Sequence, residues 1–285
     1  MHDQNSKQNI LFYGNCQMCA IHMILNLNPL KFNITVIECF STNVTEIEIY
    51  NCIKECDIII SQHIEDNYRD KSYLSTNYIL NNCKKECKII FLNNCYFDFY
   101  YFDTTMKPFT NEYCFDPCLY HYSSLVDCYK NNKSTNYYIE NYIDNKDLKN
   151  KDELEKIANA SLKELENRYE TILNYKNKNI TCINIIDYIK QNYKKELLFH
   201  SINHPTKILL QYVCHQIIYL LNLQNSINYD IDPLNYVRCI LYKCIKNVVN
   251  FEIDNIKPYL LDETKIEKIV EMYYNSYSSL KNYNK

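Results

Sequence analysis

One glycine, Gly14, serves a chain of 285 residues. At the usual frequency of about 7%, roughly twenty would be expected. Tryptophan is absent, and arginine occurs only as Arg69, Arg168 and Arg238. Asn, Lys, Ile and Tyr are in excess. Their codons are rich in A and T, so the skew reads as a nucleotide bias of the source. Each scarcity excludes something. One glycine cannot supply G-x-x-x-x-G-K-[ST] or G-x-G-x-x-G, which removes P-loop and Rossmann-type phosphate cradles. No run approaches the roughly 18 apolar residues of a membrane helix, so no membrane span is expected. A formal net charge of −3 and a pI near 6.2 give no basic footprint for nucleic acid. The first eight residues are polar and lack the apolar core of a signal peptide. With 47% apolar residues the expectation is a folded, cytoplasmic protein.

Fifteen cysteines invite a disulfide reading, but the number is odd and most lie inside apolar runs. There a thiol packs as a small hydrophobe, and free thiols in a reducing compartment fit best. Cys83, Cys87 and Cys95 lack the paired spacing of a zinc site, and no metal is expected. Cys16 and Cys19 have the C-x-x-C spacing of redox proteins, a coincidence to be expected in so cysteine-rich a chain.

The apolar pattern alternates short strands with helices. Ile10–Tyr13, Ile34–Ile37, Asp57–Gln62 and Lys88–Asn93 read as strands. Helices are expected at Gln17–Leu27, Val44–Cys56 and Tyr73–Cys83. This is the pattern of a parallel sheet wrapped on both faces. Ligands bind beyond the carboxyl ends of such strands. The polar residues Asn15-Cys16-Gln17, Ser61-Gln62-His63 and Asn93-Asn94 would meet there. Residues 96–122 form a long aromatic loop that could lid a site. Residues 123–195 are mostly helical, with the clearest amphipathic stripe at Asp152–Leu173. Leu197–Ser201 is a candidate fifth strand, Thr206–Leu223 a long helix, and 233–285 two or three more helices. The division expected is 1–125, an α/β core with the Gly-Asn-Cys-Gln turn, and 126–285, a mainly helical part returning His204 to the site, the two forming one compact unit.

Under such compositional pressure a Gly or Arg persists where nothing else fits. Gly14 after a strand permits φ > 0 and close approach of the backbone to a ligand. The alternative is a plain tight turn. Cys16 sits at a helix start, a place that lowers a thiol pKa and receives anions. His204, before Pro205 at the start of a helix, is placed like a general base, or else caps the helix. A thiol and a base make an activated nucleophile. Arg69 offers a fork for phosphate or carboxylate, or a surface ion pair with Asp66 or Asp70. Gln62 offers an amide to an oxyanion, and His121 is a further candidate contact.

Gly14-Asn15-Cys16-Gln17, then Ser61-Gln62 with Tyr68-Arg69, then Asn203-His204-Pro205, together resemble the WcbI-type polysaccharide biosynthesis family over roughly residues 9–222. That family is similar to SGNH/GDSL hydrolases, which implies an α/β/α sandwich of three layers around a central parallel sheet, here with a helical C-terminal extension. Cys16 would stand where those hydrolases carry serine, and His204-Pro205 would match their His-Pro. Ser201 occupies the place of their acid, which is a departure, as is Asn93-Asn94-Cys95-Tyr96 where a Pro-rich loop is expected. The resemblance implies coenzyme A or acetyl-CoA as acyl donor and a capsular sugar or other glycan as acceptor, with homo-oligomerisation left open. The expected roles are then Cys16 as nucleophile and His204 as base. Gly14, Asn15, Gln17, Gln62 and Asn203 would serve the oxyanion or substrate. Arg69, Tyr68, His121 and Lys207 would hold the cofactor. The alternatives are an esterase or deacetylase of the same fold, and a CoA, nucleotide or glycan binder without turnover.

Overall fold

The computed structural model describes residues 7–41, 43–106, 120–175, 179–224, 227–251 and 263–283. The chain divides into two compact units, each built from three segments. The first takes its residues from Met1–Cys95, Lys163–Gln191 and Pro205–Leu234, the second from Tyr96–Leu162, Asn192–His204 and Asn235–Lys285.

The first unit holds a five-stranded sheet of β1 (Gln8–Gly14), β2 (Phe32–Glu38), β3 (Ile58–Gln62), β4 (Lys88–Leu92) and β7 (Ile180–Ile183). The order is β2-β1-β3-β4-β7 and every pairing is parallel. Side chains alternate across the sheet. Leu11 and Tyr13 join Ile59, Ile89 and Phe91 on one face, under Ile49 and Ile53 of α2 (Glu46–Glu55) and Ile79 of α3 (Thr76–Asn82). Ile10 and Phe12, also buried, point the other way, toward α1 (Cys16–Ile24), which packs on α8 (Lys207–Leu221). The result is a three-layer α/β/α sandwich. Thr45 starts α2 with a capping box: its hydroxyl accepts the Glu48 N–H, and the Glu48 carboxylate accepts the Thr45 N–H at 2.9 Å.

The second unit carries α4 (Ser123–Lys130), α5 (Thr135–Tyr138), the first half of α6 (Lys151–Leu173), and α9 (Glu263–Tyr283). Its core is built from tyrosines. A buried phenol must find a partner, and these do. Tyr100 donates to the Tyr193 and Glu196 carbonyls at 2.7 and 2.8 Å, Tyr101 to the Phe199 carbonyl at 2.9 Å, and Tyr273 to the Tyr120 carbonyl at 2.6 Å.

Two expectations change. The fifth strand of the main sheet is β7, not Leu197–Ser201. The sequence of β7 is short and half-exposed at a sheet edge, so it lacks a buried-strand signature. The Leu197–Ser201 stretch does contain a strand, β8 (Phe199–Ser201), but it pairs in a separate two-stranded sheet with β9 (His204–Pro205). Beyond residue 233 the described residues give a short 3-10 helix at Lys243–Asn247 and one long helix, α9, while 252–262 lie outside the described residues. The aromatic stretch 96–122 contains a 3-10 turn and the short pair β5 (Thr104–Thr105) and β6 (His121–Tyr122), while 107–119 lies outside the described residues. The thirteen described cysteines are free thiols. Among the described residues no helix is long and apolar enough to cross a membrane, and no cluster of His, Cys, Asp or Glu is placed to hold a metal ion.

Candidate active site

The first unit gathers its polar residues at the carboxyl ends of β1, β3 and β4. Gly14 ends β1, and Asn15 caps α1, its Oδ1 accepting the Gln17 N–H at 2.9 Å. The need for glycine is space and not torsion: Gly14 has no positive φ. A Cβ there would stand 2.5 Å from Gln62 Oε1 and 2.6 Å from Met18 Cγ. The expected left-handed turn is therefore corrected. The close approach is real, and it is to the Gln62 side chain.

Gln62 is the hub of an amide network. Its Oε1 accepts the Asn15 N–H at 2.9 Å. Its Nε2 donates to Gln17 Oε1 at 2.9 Å and Asn94 Oδ1 at 3.3 Å. Gln17 in turn donates to the Cys95 carbonyl and accepts the Cys95 N–H, both at 2.8 Å. Asn15 Nδ2 donates to Asn94 Oδ1 at 3.1 Å. Gln17 and Gln62 are buried. Their amides are spent on one another and on the backbone, so they fix the turn.

Cys16 is half-buried at the first position of α1. Burial raises its pKa, and the Glu38 carboxylate raises it further; the N–H groups of Cys16 and Gln17 pull the other way and lose. The expected lowering at a helix start is present and outweighed. Glu38 arrives because register pairs it with Gly14 across β1 and β2. Cys19 donates its S–H to Glu38 at 3.0 Å and is pushed up to about 12, burial being the larger cause. A redox C-x-x-C depends on a depressed thiol pKa, and this pair has the opposite electrostatics.

A cleft of about 390 Å³ opens beside this turn. Asn15, Gln62, Asn93 and Asn94 supply amides, Tyr68 and Ile172 apolar wall, and Glu65, Glu164 and Arg168 the charges. Arg168 pairs with Glu164 at 2.7 Å. Next to it, Arg69 donates to the Phe40 carbonyl and to the Tyr68 phenol, with a left-handed φ of 54°. Such strain in a non-glycine residue clusters at functional sites. Lys207 starts α8, with its N–H on Asp232 and its Nζ on the Tyr229 carbonyl at 3.2 Å.

In the second unit His204 is buried, with Nδ1 2.9 Å from both Ser201 Oγ and the Tyr120 phenol. Tyr120 also donates to Asn203 Oδ1. Two hydroxyls thus occupy the orienting position of a carboxylate, and neither can balance an imidazolium. Burial, then the nearby His200, pushes His204 down to about 4. Ser201→Asp is expected to raise the His204 pKa by about 1–3 units through the added negative charge. An NMR titration of the His204 ring reads the shift directly, and an unmoved pKa would exclude Ser201 as the partner that tunes it. His121 is buried against Tyr273 and Tyr277, with Nδ1 3.0 Å from the Tyr277 phenol.

Two residues escaped the sequence reading. Arg168 carries the scarcity signal that drew attention to Arg69. Glu38 is the polar residue at the end of β2, one past the apolar run Ile34–Ile37, and only the register of β1 on β2 brings it beside Gly14.

A family model described as polysaccharide biosynthesis enzyme WcbI matches residues 9–226. The chain belongs to the WcbI polysaccharide biosynthesis enzyme family. A solved WcbI structure aligns with a TM-score of 0.72 at 18% identity, covering 87% of this chain and 81% of that one. At that identity the likeness speaks for the fold of a WcbI-family protein. The solved structure is described as native protein without a disulfide bond between CoA and a cysteine. No curated protein sequence matches this chain.

Proposed function

We propose that this WcbI-family protein transfers an acyl group, acetyl in the simplest case, from acyl-CoA to a sugar hydroxyl. The observation that carries the reading is Cys16, a half-buried thiol at the first turn of α1, set between Asn15 and Gln17, both of which Gln62 binds at the carboxyl edge of a parallel sheet. That the solved relative's description names CoA together with a cysteine supports the choice of donor.

In this reading His204, neutral at pH 7, takes the Cys16 proton, which the raised thiol pKa makes necessary. Cys16 sulfur attacks the thioester carbonyl. The backbone N–H at the start of α1 and its dipole stabilise the oxyanion, with Gln17 and Gln62 as positioning residues. The proton returns from His204 to the departing CoA sulfur. His204 then takes the proton of the acceptor hydroxyl, whose oxygen attacks the Cys16 thioester; the ester forms and Cys16 regains a proton. Asn203, bonded to Tyr120, helps fix the His204 hydroxyl partners. Arg69, held by the Tyr68 phenol, is the proposed phosphate contact. His121 and Lys207 have no part in this reading, since His121 is packed among tyrosines and Lys207 holds the 229–232 loop. The free thiols among the described cysteines are in keeping with a reducing compartment, which supports a cytoplasmic reaction.

Thermal unfolding with CoA, acetyl-CoA and a simple aryl ester tests the proposal. CoA at a hundredfold excess over Kd should stabilise by about 2.7 kcal/mol. No stabilisation by CoA or acetyl-CoA would reject it. Rapid ester cleavage without CoA would favour a hydrolase.

A further inference from the structure

The cleft beside the amide network has a composition that selects its occupant. Its volume of about 390 Å³ lies in the range of small-ligand pockets. Its charge is against a phosphate. Glu65 and Glu164 stand at its rim, and its one guanidinium, Arg168, is held by Glu164 at 2.7 Å. A phosphate or uronate would meet more negative charge than positive. Its floor holds an unmet demand for a donor. Asn93 is 1% exposed and gives its amide N–H to the Leu165 carbonyl at 3.0 Å, which fixes the orientation of the amide. That leaves Asn93 Oδ1 buried with no hydrogen-bond partner. An unsatisfied buried acceptor costs about 1–3 kcal/mol, and a ligand donor relieves it. Asn93 Oδ1 and the carboxylates of Glu65 and Glu164 are all acceptors. They call for a ligand rich in O–H donors, which phosphates and carboxylates are not. Tyr68 offers an aromatic wall on which the C–H face of a sugar ring can lie.

We propose that this cleft is the acceptor subsite and that it takes an uncharged sugar, with Asn93 Oδ1 accepting one of its hydroxyl protons. This rests on the acyl-transfer reading for the identity of the reaction, but the cleft's selectivity is testable without turnover.

The test is ligand-observed NMR and calorimetry on the full chain, with and without saturating CoA. The probes are the methyl glycosides of mannose, glucose and galactose, set against glucuronate. At least one glycoside should bind about tenfold more tightly than glucuronate in one of the two states. Asn93→Leu should weaken that glycoside about tenfold while CoA affinity stays within a factor of about two, the cost of one buried hydrogen bond. Asn93 is a core residue, so the rim gives a second handle. Glu65→Lys with Glu164→Lys should raise glucuronate affinity about tenfold by reversing the rim charge. No glycoside binding in either state, with CoA still bound, overturns the subsite and leaves the acyl-transfer reading intact. Glycoside binding without any CoA binding keeps the subsite and sinks the acyl-transfer reading. Loss of CoA binding in both sets of variants would assign the cleft to CoA and overturn the proposal.

Discussion

Cys16→Ala should lower acyl transfer from acetyl-CoA by at least about 10³-fold while leaving CoA affinity nearly unchanged. In the proposed reaction the thiol acts in the chemical step. Removing it leaves α1, its Asn15 cap and the Gln62 network intact, because none of those bonds involves the Cys16 side chain. Thermal stability should therefore be preserved, and the loss should appear in kcat. Cys19→Ala is the matched control. That thiol lies three residues along the same helix, bonded to Glu38. Removing it should leave transfer in place. A Cys16→Ala protein that retained full turnover would exclude covalent catalysis at this residue.

Gly14→Ala should cost about 1–3 kcal/mol of stability, the range for forced overpacking. The new methyl would fall 2.5 Å from Gln62 Oε1 and 2.6 Å from Met18 Cγ. Gln62 is the end of a flexible side chain, yet it is tied by bonds to Asn15, Gln17 and Asn94. Moving it breaks the clamp beneath Cys16, so activity should fall along with stability. Met18 sits on α1 and is fully buried, which closes the other escape. Gln62→Ala should cost less in the Gly14→Ala background than in the parent, because the clash it relieves exists only there. Strictly additive free energies from chemical denaturation would show that Gly14 and Gln62 are not coupled and that the glycine serves some other end.

The regular part of the fold was legible because its physics is local. Strands β1, β3 and β4 are runs of apolar residues buried on both faces, and such runs identify themselves, while the edge strand β2 shows itself by its β-branched residues Ile34–Ile37. Strand β7 lies at an edge with three of its four residues only partly buried, so its pattern merged with the helical region around it. The importance of Gly14 was readable from its rarity, but rarity does not distinguish torsion from space. Only the Gln62 side chain, arriving from a strand nearly fifty residues later, decides that. The rise in the Cys16 pKa was illegible for the same reason: burial, its larger cause, and Glu38, which reaches the turn through register, are both set by the fold and not by sequence proximity. Ser201 beside His204 could be anticipated from the resemblance, in which it takes the place of the acid; the second hydroxyl, from Tyr120, could not.

The acyl-transfer account is tested most directly by rapid-quench mass spectrometry of the whole protein mixed with acetyl-CoA without an acceptor. The account predicts one acetyl group, mapped to Cys16 as a thioester, which forms slowly in His204→Ala and never in Cys16→Ala. A protein that turned over acetyl-CoA while Cys16 stayed unmodified at every time point would contradict it.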